Sequence, residues 1–423
     1  MDERSKQGPV YEWTLVISLA LMFGFVGLNR VGIGFVLPPI VQEFHLEFWQ
    51  AGLLVSGTSL AWAVSAWLSG CVSDRVGRKN VLVIGMYAAS AISAILGTAW
   101  NFLSLFIFRD LLGFGDGVSL TTGQSTIAER TNPHRRALYQ GIFNGGYSLL
   151  GLGFGAYIIT HLSTAFGWRW VFTIVAVFGV IITTWLIFVL PKDLPASARS
   201  GAGQLNASSF FKDLKEILGA PGMARVTLCS TLGLGWLGLN IAFNALFLTQ
   251  VRGYSLNDAG SILSISAVIG VSGVIFVPGV ADRLGRKVAG IIASIGAGVC
   301  FLIFALVPMP TVATVIVLTL GSICASGLSP LTLATLPSEL VPLRRGAAIG
   351  VANLFAASFG ITLSPIIGGF LADHSSLIVP VVLGGLCQLG IAPILQGIPE
   401  TAPRILARRL ETQPSAVEGA MPI

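Results

Sequence analysis

The sequence predicts an all-α integral membrane protein with twelve transmembrane helices in two pseudo-symmetric six-helix bundles, and three observations carry that prediction. The first is composition: 54% of the 423 residues are hydrophobic and only 10% are charged, with a mean hydropathy of +0.82, too apolar for a water-soluble chain. The second is a series of apolar segments of roughly 20 residues, the length at which a helix crosses a hydrocarbon core of about 30 Å. Lipid cannot satisfy backbone polar groups, so each segment must be helical. The third is a repeat. Gly70-Cys71-Val72-Ser73-Asp74-Arg75-Val76-Gly77-Arg78-Lys79 returns as Pro278-Gly279-Val280-Ala281-Asp282-Arg283-Leu284-Gly285-Arg286-Lys287, each copy wedged between two apolar runs.

In chain order, residues 1–13 read as a polar tail, 14–190 as the first bundle, 191–222 as a linker, 223–397 as the second bundle and 398–423 as a second tail. The first helix, Thr14 to Leu37, is too long for a secretory h-region and lacks an Ala-x-Ala site, so it is a retained span. It is expected to stop at Pro38-Pro39, before an acidic loop with Glu43, His45 and Glu47. Helix 2 covers about Trp49 to Gly70, the motif makes the turn, and helix 3 covers about Val81 to Gly97. After a tight turn at Trp100-Asn101, helix 4 runs from about Phe102 to Ala128 and ends in a cation-rich turn, Glu129 to Arg136. Helix 5, about Tyr139 to Ile159, is dense in glycine, which suits close helix contact where lipid gives no hydrophobic drive. Trp168-Arg169-Trp170 opens helix 6, which ends near Leu190. In the linker, Phe210 to Leu218 reads as an amphipathic helix on the membrane surface. The plan then repeats: Gly27-Leu28-Asn29 is echoed by Gly238-Leu239-Asn240, and Gly141-x-x-Asn144 by Gly350-x-x-Asn353.

The net charge of +6 does not indicate nucleic acid, because of where the cations lie. All of the 25 Lys and Arg fall in alternate loops and tails except Arg30, Arg109, Arg169 and Arg252. That bias places both termini in the cytoplasm and the protein in the cell's inner or plasma membrane. Five cysteines, Cys71, Cys229, Cys300, Cys324 and Cys387, are odd in number and sit in or beside apolar runs, so packed thiols are expected and a disulfide framework is not. No metal-ligand spacing, Gly-x-Ser-x-Gly elbow or phosphate loop occurs in a suitable setting, so neither an enzyme nor a cofactor is expected. His45, His134, His161 and His374 lie at loops, against a histidine relay, and a monomer is expected.

Four charges inside apolar runs carry the functional signal: Arg30, Arg109, Asp110 and Asp116. Each would cost about 2.5–3.5 kcal/mol at a helix centre, so they should face a polar cavity and offset one another. Arg109 and Asp116, nearly two turns apart, share a face with about 10.5 Å of rise between them, while Asp110 is rotated by about 100° toward a neighbouring helix. Arg30 falls at a depth similar to Arg109. Two guanidiniums above a carboxylate describe an anion site with a titratable group beside it. The alternative is a fixed ion pair, Arg109 with Asp110 or Asp116, holding helix 4 to helix 1. Arg30 has Ile241 as its repeat equivalent, an asymmetry that points to function. Asn144, Tyr147, Gln124, Asn240, Asn244 and Asn353 are secondary candidates, as substrate contacts or as interhelical hydrogen bonds.

The repeated motif resembles the loop 2–3 signature of the major facilitator superfamily, G-x-x-x-D-R-x-G-R-R/K, with its second copy in loop 8–9. The resemblance implies the twelve-helix facilitator fold and a transporter. It also implies a cytoplasmic latch made by Asp74, Arg75, Gly77 and Arg78 with Asp282, Arg283 and Arg286. In physical terms, Asp74 ends helix 2 where the macrodipole disfavours a carboxylate, so it needs a cationic partner. The bland reading is a topological anchor.

The intramembrane charges resemble those of the anion:cation symporter branch. By that match Arg30 and Arg109 bind substrate, Asp116 replaces a glutamate as the proton-coupling acid with Asp110 a second candidate, and Asn29 stands where the family has an Asp. Aromatic-acid:proton symporters share the run from Arg109 through Gly113 and Gly115, without a matching Asp pair in helix 1. The expected function is therefore proton-coupled import of a small organic anion by alternating access, with the bilayer and protons as the other partners. A proton-coupled exporter of drugs or metabolites is the alternative. Arg109 suits it, but helix 5 offers Gly151-Leu152-Gly153-Phe154-Gly155 where antiporters carry a Gly-Pro element. A sugar porter is disfavoured, since no Pro-Glu-Ser-Pro-Arg follows helix 6, although Pro399-Glu400-Thr401 is an echo of one.

Overall fold

The structure, a computed structural model, is described for residues 9–132, 135–190, 214–402 and 405. Twelve long helices account for most of them: α1 (Pro9–Phe44), α2 (Phe48–Val76), α3 (Arg78–Leu96), α4 (Phe102–Arg130), α5 (Leu138–Phe166) and α6 (Trp168–Val189). They continue as α7 (Met223–Val251), α8 (Leu256–Leu284), α9 (Arg286–Leu306), α10 (Thr311–Leu340), α11 (Ala347–His374) and α12 (Ile378–Gln396). No strand occurs among the described residues. Ten of the helices are long and apolar enough to cross a membrane; the other two, α2 and α4, have 29 residues each, and α4 carries Arg109, Asp110 and Asp116.

Helix boundaries follow local chemistry. Asn101 caps α4 by accepting from the Ser104 N–H at 2.8 Å, while Ser104 Oγ accepts from the Asn101 N–H at 3.1 Å. The turn between α2 and α3 takes one residue, Gly77, at φ 116°, and its repeat partner Gly285 has φ 103°. L side chains rarely enter that region, so the motif needs glycine there. The expected stop at Pro38-Pro39 does not occur: α1 runs on through both prolines to Phe44. Gly34, one turn before Pro38, has no side chain to hinder the shift that a proline ring imposes on the preceding carbonyls, and a neighbour braces it there. A Cβ at Gly34 would lie 2.0 Å from the Ile241 carbonyl oxygen. Wider π turns interrupt α5 (Tyr147–Gly153) and α11 (Ala356–Ile361) at corresponding places in the repeat, and also α7 (Phe247–Val251) and α10 (Leu331–Thr335).

The chain divides into two compact units. The first contains the described residues through Leu190 together with Gly238–Val268 and Pro365–Pro380. At its end remote from the motif, Asp373 accepts from the Phe48 and Trp49 N–H groups at 2.7 and 2.9 Å, so a carboxylate from α11 satisfies the start of α2. There too, Glu43 pairs with Arg169 and accepts from Trp168 Nε1 at 2.6 Å, and Arg169 donates to the Ala99 carbonyl at 3.1 Å. The acidic loop and the Trp168-Arg169-Trp170 segment thus bind each other.

The second unit contains the described residues from Leu214 to Leu237, Ile269–Ser364 and those from Val381 onward. Residues 214–219 are helical, as the amphipathic pattern predicts, but Ile217 is buried against Met223, Ala348, Val351 and Ala352. Its apolar face therefore meets protein, not only a membrane surface; Phe210 to Asp213 lie outside the described residues. Cys229, Cys300, Cys324 and Cys387 are free thiols.

Glycine also lets α1 and α5 approach each other closely in the first unit. A Cβ on Gly27 of α1 would lie 2.9 Å from both Gly151 Cα and the Tyr147 carbonyl oxygen of α5, whereas one on Gly141 would meet nothing within 4 Å. Gly27→Leu is expected to destabilise by about 1–3 kcal/mol through overpacking, seen as a lower Tm in detergent. Gly141→Ala should hold or raise Tm, since alanine gains about 1 kcal/mol of helix propensity.

Candidate functional site

Three glycines decide how α4 sits. A Cβ at Gly113 would come within 2.5 Å of the Thr58 carbonyl oxygen and one at Gly117 within 2.5 Å of the Trp62 oxygen, both on α2; at Gly115 it would be 3.0 Å from Ala89 Cα on α3. α4 is thereby pressed between α2 and α3, with Arg109 joined to α1.

Arg109 is wholly enclosed. Its Nη1 donates to the Asn29 carbonyl oxygen at 2.7 Å and its Nη2 to the Arg30 carbonyl oxygen at 3.2 Å. Asp116 is equally buried, and neither carboxylate oxygen has a hydrogen-bond partner. Arg109, Asn29 and Arg30 are the groups that act on it. The Asn29 side chain, also fully buried, accepts from Ser93 Oγ of α3 at 3.0 Å, and the same hydroxyl lies 3.0 Å from the Phe172 carbonyl oxygen of α6. Arg30 alone of these is partly accessible, with its guanidinium 4.3 Å from the centre of the Trp62 ring. Tyr147, in the π turn of α5, stands beside Arg30, Asp116 and Arg109. Asp110 points elsewhere, toward α2, where its Oδ1 would lie 2.6 Å from a Cβ on Gly57.

A model of the Major Facilitator Superfamily matches residues 19–365. The chain belongs to the Major Facilitator Superfamily. Among curated relatives, the 4-hydroxybenzoate transporter of Acinetobacter baylyi is 29% identical over 43% of this chain and 40% of its own length. The hexuronate transporter of Bacillus subtilis is 30% identical over 48% of this chain and 50% of its own. The chain thus spans half or less of the length of these relatives. Among solved structures, a bacterial homologue of the human lysosomal transporter Spinster, inward-facing and unoccupied, superposes with a TM-score of 0.72 at 19% identity, over 95% of this chain and 98% of that one. The fold is that of the facilitators, and members of the superfamily are transporters, not enzymes.

Within that superfamily fold, the structure brings together Arg30, Arg109, Asp116, Asn29 and Tyr147. Arg109 and Asn29 are fully buried in it, and of the two arginines only Arg30 is partly accessible. The α1 carbonyls accept the Arg109 donors, which lets the guanidinium be enclosed without a hydrogen-bonded acid. Asn144 and Asn353 are exposed and bond nearby backbone, Asn144 to the Gln140 carbonyl at 2.9 Å and Asn353 to those of Ile349 and Leu333 at 2.8 and 3.1 Å. The Gln124 carbonyl accepts from Gln140 Nε2 at 2.8 Å. Asn240 is half-buried and Asn244 buried on α7. Two participants were not singled out from sequence, Trp62 and Ser93. Trp62 had a signal: tryptophan favours membrane interfaces, and this one lies mid-helix.

The superfamily motif is described in part, since the side chains of Asp74 and Arg75 lie outside the described residues. Arg78 pairs with Glu129 of α4 at 2.8 Å, and Lys79 Nζ donates to the Ile187 and Leu190 carbonyls at the end of α6. In the second copy Arg286 pairs with Asp282 and with Glu339 at 3.2 Å, while Arg283 is exposed. Glu400 accepts from the Arg286 and Lys287 N–H groups at 2.8 and 3.2 Å, and Thr401 donates to Glu339 at 2.5 Å. Pro399-Glu400-Thr401 therefore caps α9 beside the motif.

Arg109→Lys replaces a two-donor fork with a point charge. It is expected to cost about 1.5–3 kcal/mol for a lost charged hydrogen bond, read as a fall in Tm. Asn144→Ala, at an exposed site, should stay within about 0.5 kcal/mol of the parent.

Proposed function

We propose that this protein is a proton-coupled importer of a small organic carboxylate, held in the cell membrane with both termini cytoplasmic. The observation that carries the reading is a partly accessible Arg30 guanidinium within electrostatic reach of the buried, hydrogen-bond-free carboxylate of Asp116. A guanidinium grips a carboxylate through two parallel hydrogen bonds, and a buried carboxyl group without donors is the member of the site able to exchange a proton. The two relatives, named for 4-hydroxybenzoate and hexuronate, are named for anions of this kind. Aromatic surroundings favour a flat substrate: Trp62 lies under Arg30, and Tyr147 packs on Phe23 at 5.2 Å, which in turn stacks on Phe143 at 4.5 Å.

In this reading Arg30 binds the substrate carboxylate, Tyr147 offers a further hydrogen bond, and Asp116 carries the proton. Arg109 acts indirectly, by fixing α1 to α4 so that Arg30 and Asp116 keep one spacing. Asn240, Asn244, Asn144 and Asn353 are proposed at most as minor substrate contacts. Alternating access between two six-helix halves moves the cargo, the usual arrangement where binding residues lie near mid-membrane. The ion pairs of Arg78 with Glu129 and of Arg286 with Asp282 and Glu339 are proposed, with Asp74, Arg75, Gly77 and Arg283, to form the cytoplasmic latch that rearranges during that cycle.

In proteoliposomes, acid outside should drive accumulation of benzoate-type monocarboxylates. Arg30→Ala should weaken substrate binding roughly 10- to 150-fold, the equivalent of about 1.5–3 kcal/mol. Asp116→Asn should retain substrate exchange and lose accumulation. Absence of gradient-driven uptake for every carboxylate tested would refute the proposal, and proton-driven efflux of lipophilic cations would establish the exporter in its place.

A further inference from the structure

We propose that Asp373 is the lock of the outer gate: its carboxylate, at the end of α11, holds the start of α2 and must release it before a substrate can enter from outside. This rests on the proposed topology, which makes the end remote from the motif the outer one.

The start of α2 depends on this acid. The first N–H groups of a helix have no acceptor within it, and the local groups here serve other donors: the Glu47 N–H donates to Gln50 Oε1 at 3.0 Å, and the Gln50 and Ala51 N–H groups donate to the Glu47 carbonyl at 3.1 and 3.2 Å. The Phe48 and Trp49 N–H groups are taken by Asp373, one on each carboxylate oxygen, at 2.7 and 2.9 Å. The negative charge also meets the positive end of the helix dipole. Asp373 is exposed, so on release both partners exchange their bond for water at a modest net cost. Such a bond can break in every cycle.

Backbone contact brings the two helices to this bond. Pro365, Gly369 and Asp373 recur at every fourth residue and share one face of α11. A Cβ at Gly369 would lie 2.4 Å from the Phe48 carbonyl oxygen, and one at Gly52 of α2 would lie 2.1 Å from that of Pro365. The crossing closes with no side chain between the backbones.

The repeat supplies a neutral copy of the same contact. In the register that pairs Gly141 with Gly350 and Ala51-Gly52 with Ala259-Gly260, Asp373 answers to Thr164 of α5 and Trp49 to Asn257 of α8. Those two residues meet as well: Thr164 Oγ1 donates to Asn257 Oδ1 at 3.0 Å. A Cβ at Gly260 would lie 2.0 Å from Thr160 Oγ1, so the glycine approach is also duplicated. Both crossings join a helix of the first six to one of the second six, where a transporter built from two halves must part. Of the two bonds, the one on α2 is made by a charged group, which makes it the stronger.

The test measures separation by pulsed electron spin resonance, with spin labels at Phe166 of α5 and Val251 of α7, exposed positions distant from Asp373 in sequence. The full chain is used in lipid nanodiscs without substrate, its five cysteines replaced by serine. Asp373→Ala should raise the ratio of separated to closed molecules by roughly 2- to 30-fold, the range for loss of a helix N-terminal cap. Asp373→Asn, isosteric and uncharged, should raise it by less, and decides the matter if the alanine variant does not fold. Gly52→Ala wedges the same crossing with the carboxylate in place and should also raise the ratio. The Asp373 variants are read in that background too, which makes a rarely open parent measurable. An unchanged separation in both backgrounds, with or without a fall in Tm, means that Asp373 only caps α2 and overturns the inference. These distances need no substrate, so that failure is distinct from absence of gradient-driven carboxylate uptake, which refutes the import function.

Discussion

The bond between Arg109 and the α1 backbone is the contact on which the site depends. A guanidinium that reaches no solvent must find acceptors inside the protein, and here they are the carbonyls of Asn29 and Arg30. Those carbonyls belong to consecutive residues, so the fork fixes the axial position of α1 against α4 as well as their distance. Two consequences follow. Arg30 is held at the level of Arg109, and Asp116, nearly two turns further along α4, is left without a bonded cation. Had Arg109 paired with Asp116, the acid would have been locked as a structural ion. Its use of backbone acceptors keeps the acid free to change state.

That arrangement needs a dry, close-packed setting, which the glycines of α4 provide. Gly113 and Gly117 lay α4 on the backbone of α2, and Gly115 lays it on α3. Helices in lipid gain nothing from burying apolar surface against each other, so association depends on close approach of this kind. The same close packing leaves Asp116 fully buried, with both carboxylate oxygens unpaired. The packing of α4 and the burial of its acid are thus set by the same short stretch of sequence.

Much of this was legible in the sequence, for reasons that can be stated residue by residue. Arg30, Arg109 and Asp116 stood out because charge in an apolar run is costly and rarely accidental. Gly77 and Gly285 stood out because the repeat preserved them, and the positive φ angles at both explain why. The partner of Arg109 was not legible, because every residue carries a carbonyl and sequence does not mark the one that accepts. Nor was the passage of α1 through Pro38-Pro39, which depends on Gly34 and on a neighbour distant in the chain. Glu400 looked like a faint echo of another transporter class; its use as the cap of α9 appears only when the chain end is folded back onto the motif.

The repeat also shows how an asymmetric site can arise in a duplicated chain. Arg30 and Ile241 occupy equivalent positions in the two copies. The structure places the Ile241 backbone against Gly34, one turn along α1 from Arg30. The two equivalent positions therefore lie on helices that cross next to each other, where two arginines would add like charge to a centre that already holds Arg109. An apolar residue on α7 avoids that repulsion and leaves the guanidinium of α1 with an aromatic face beneath it. Duplication set out two matching frames; like-charge repulsion at this crossing favours keeping the charge in only one of them.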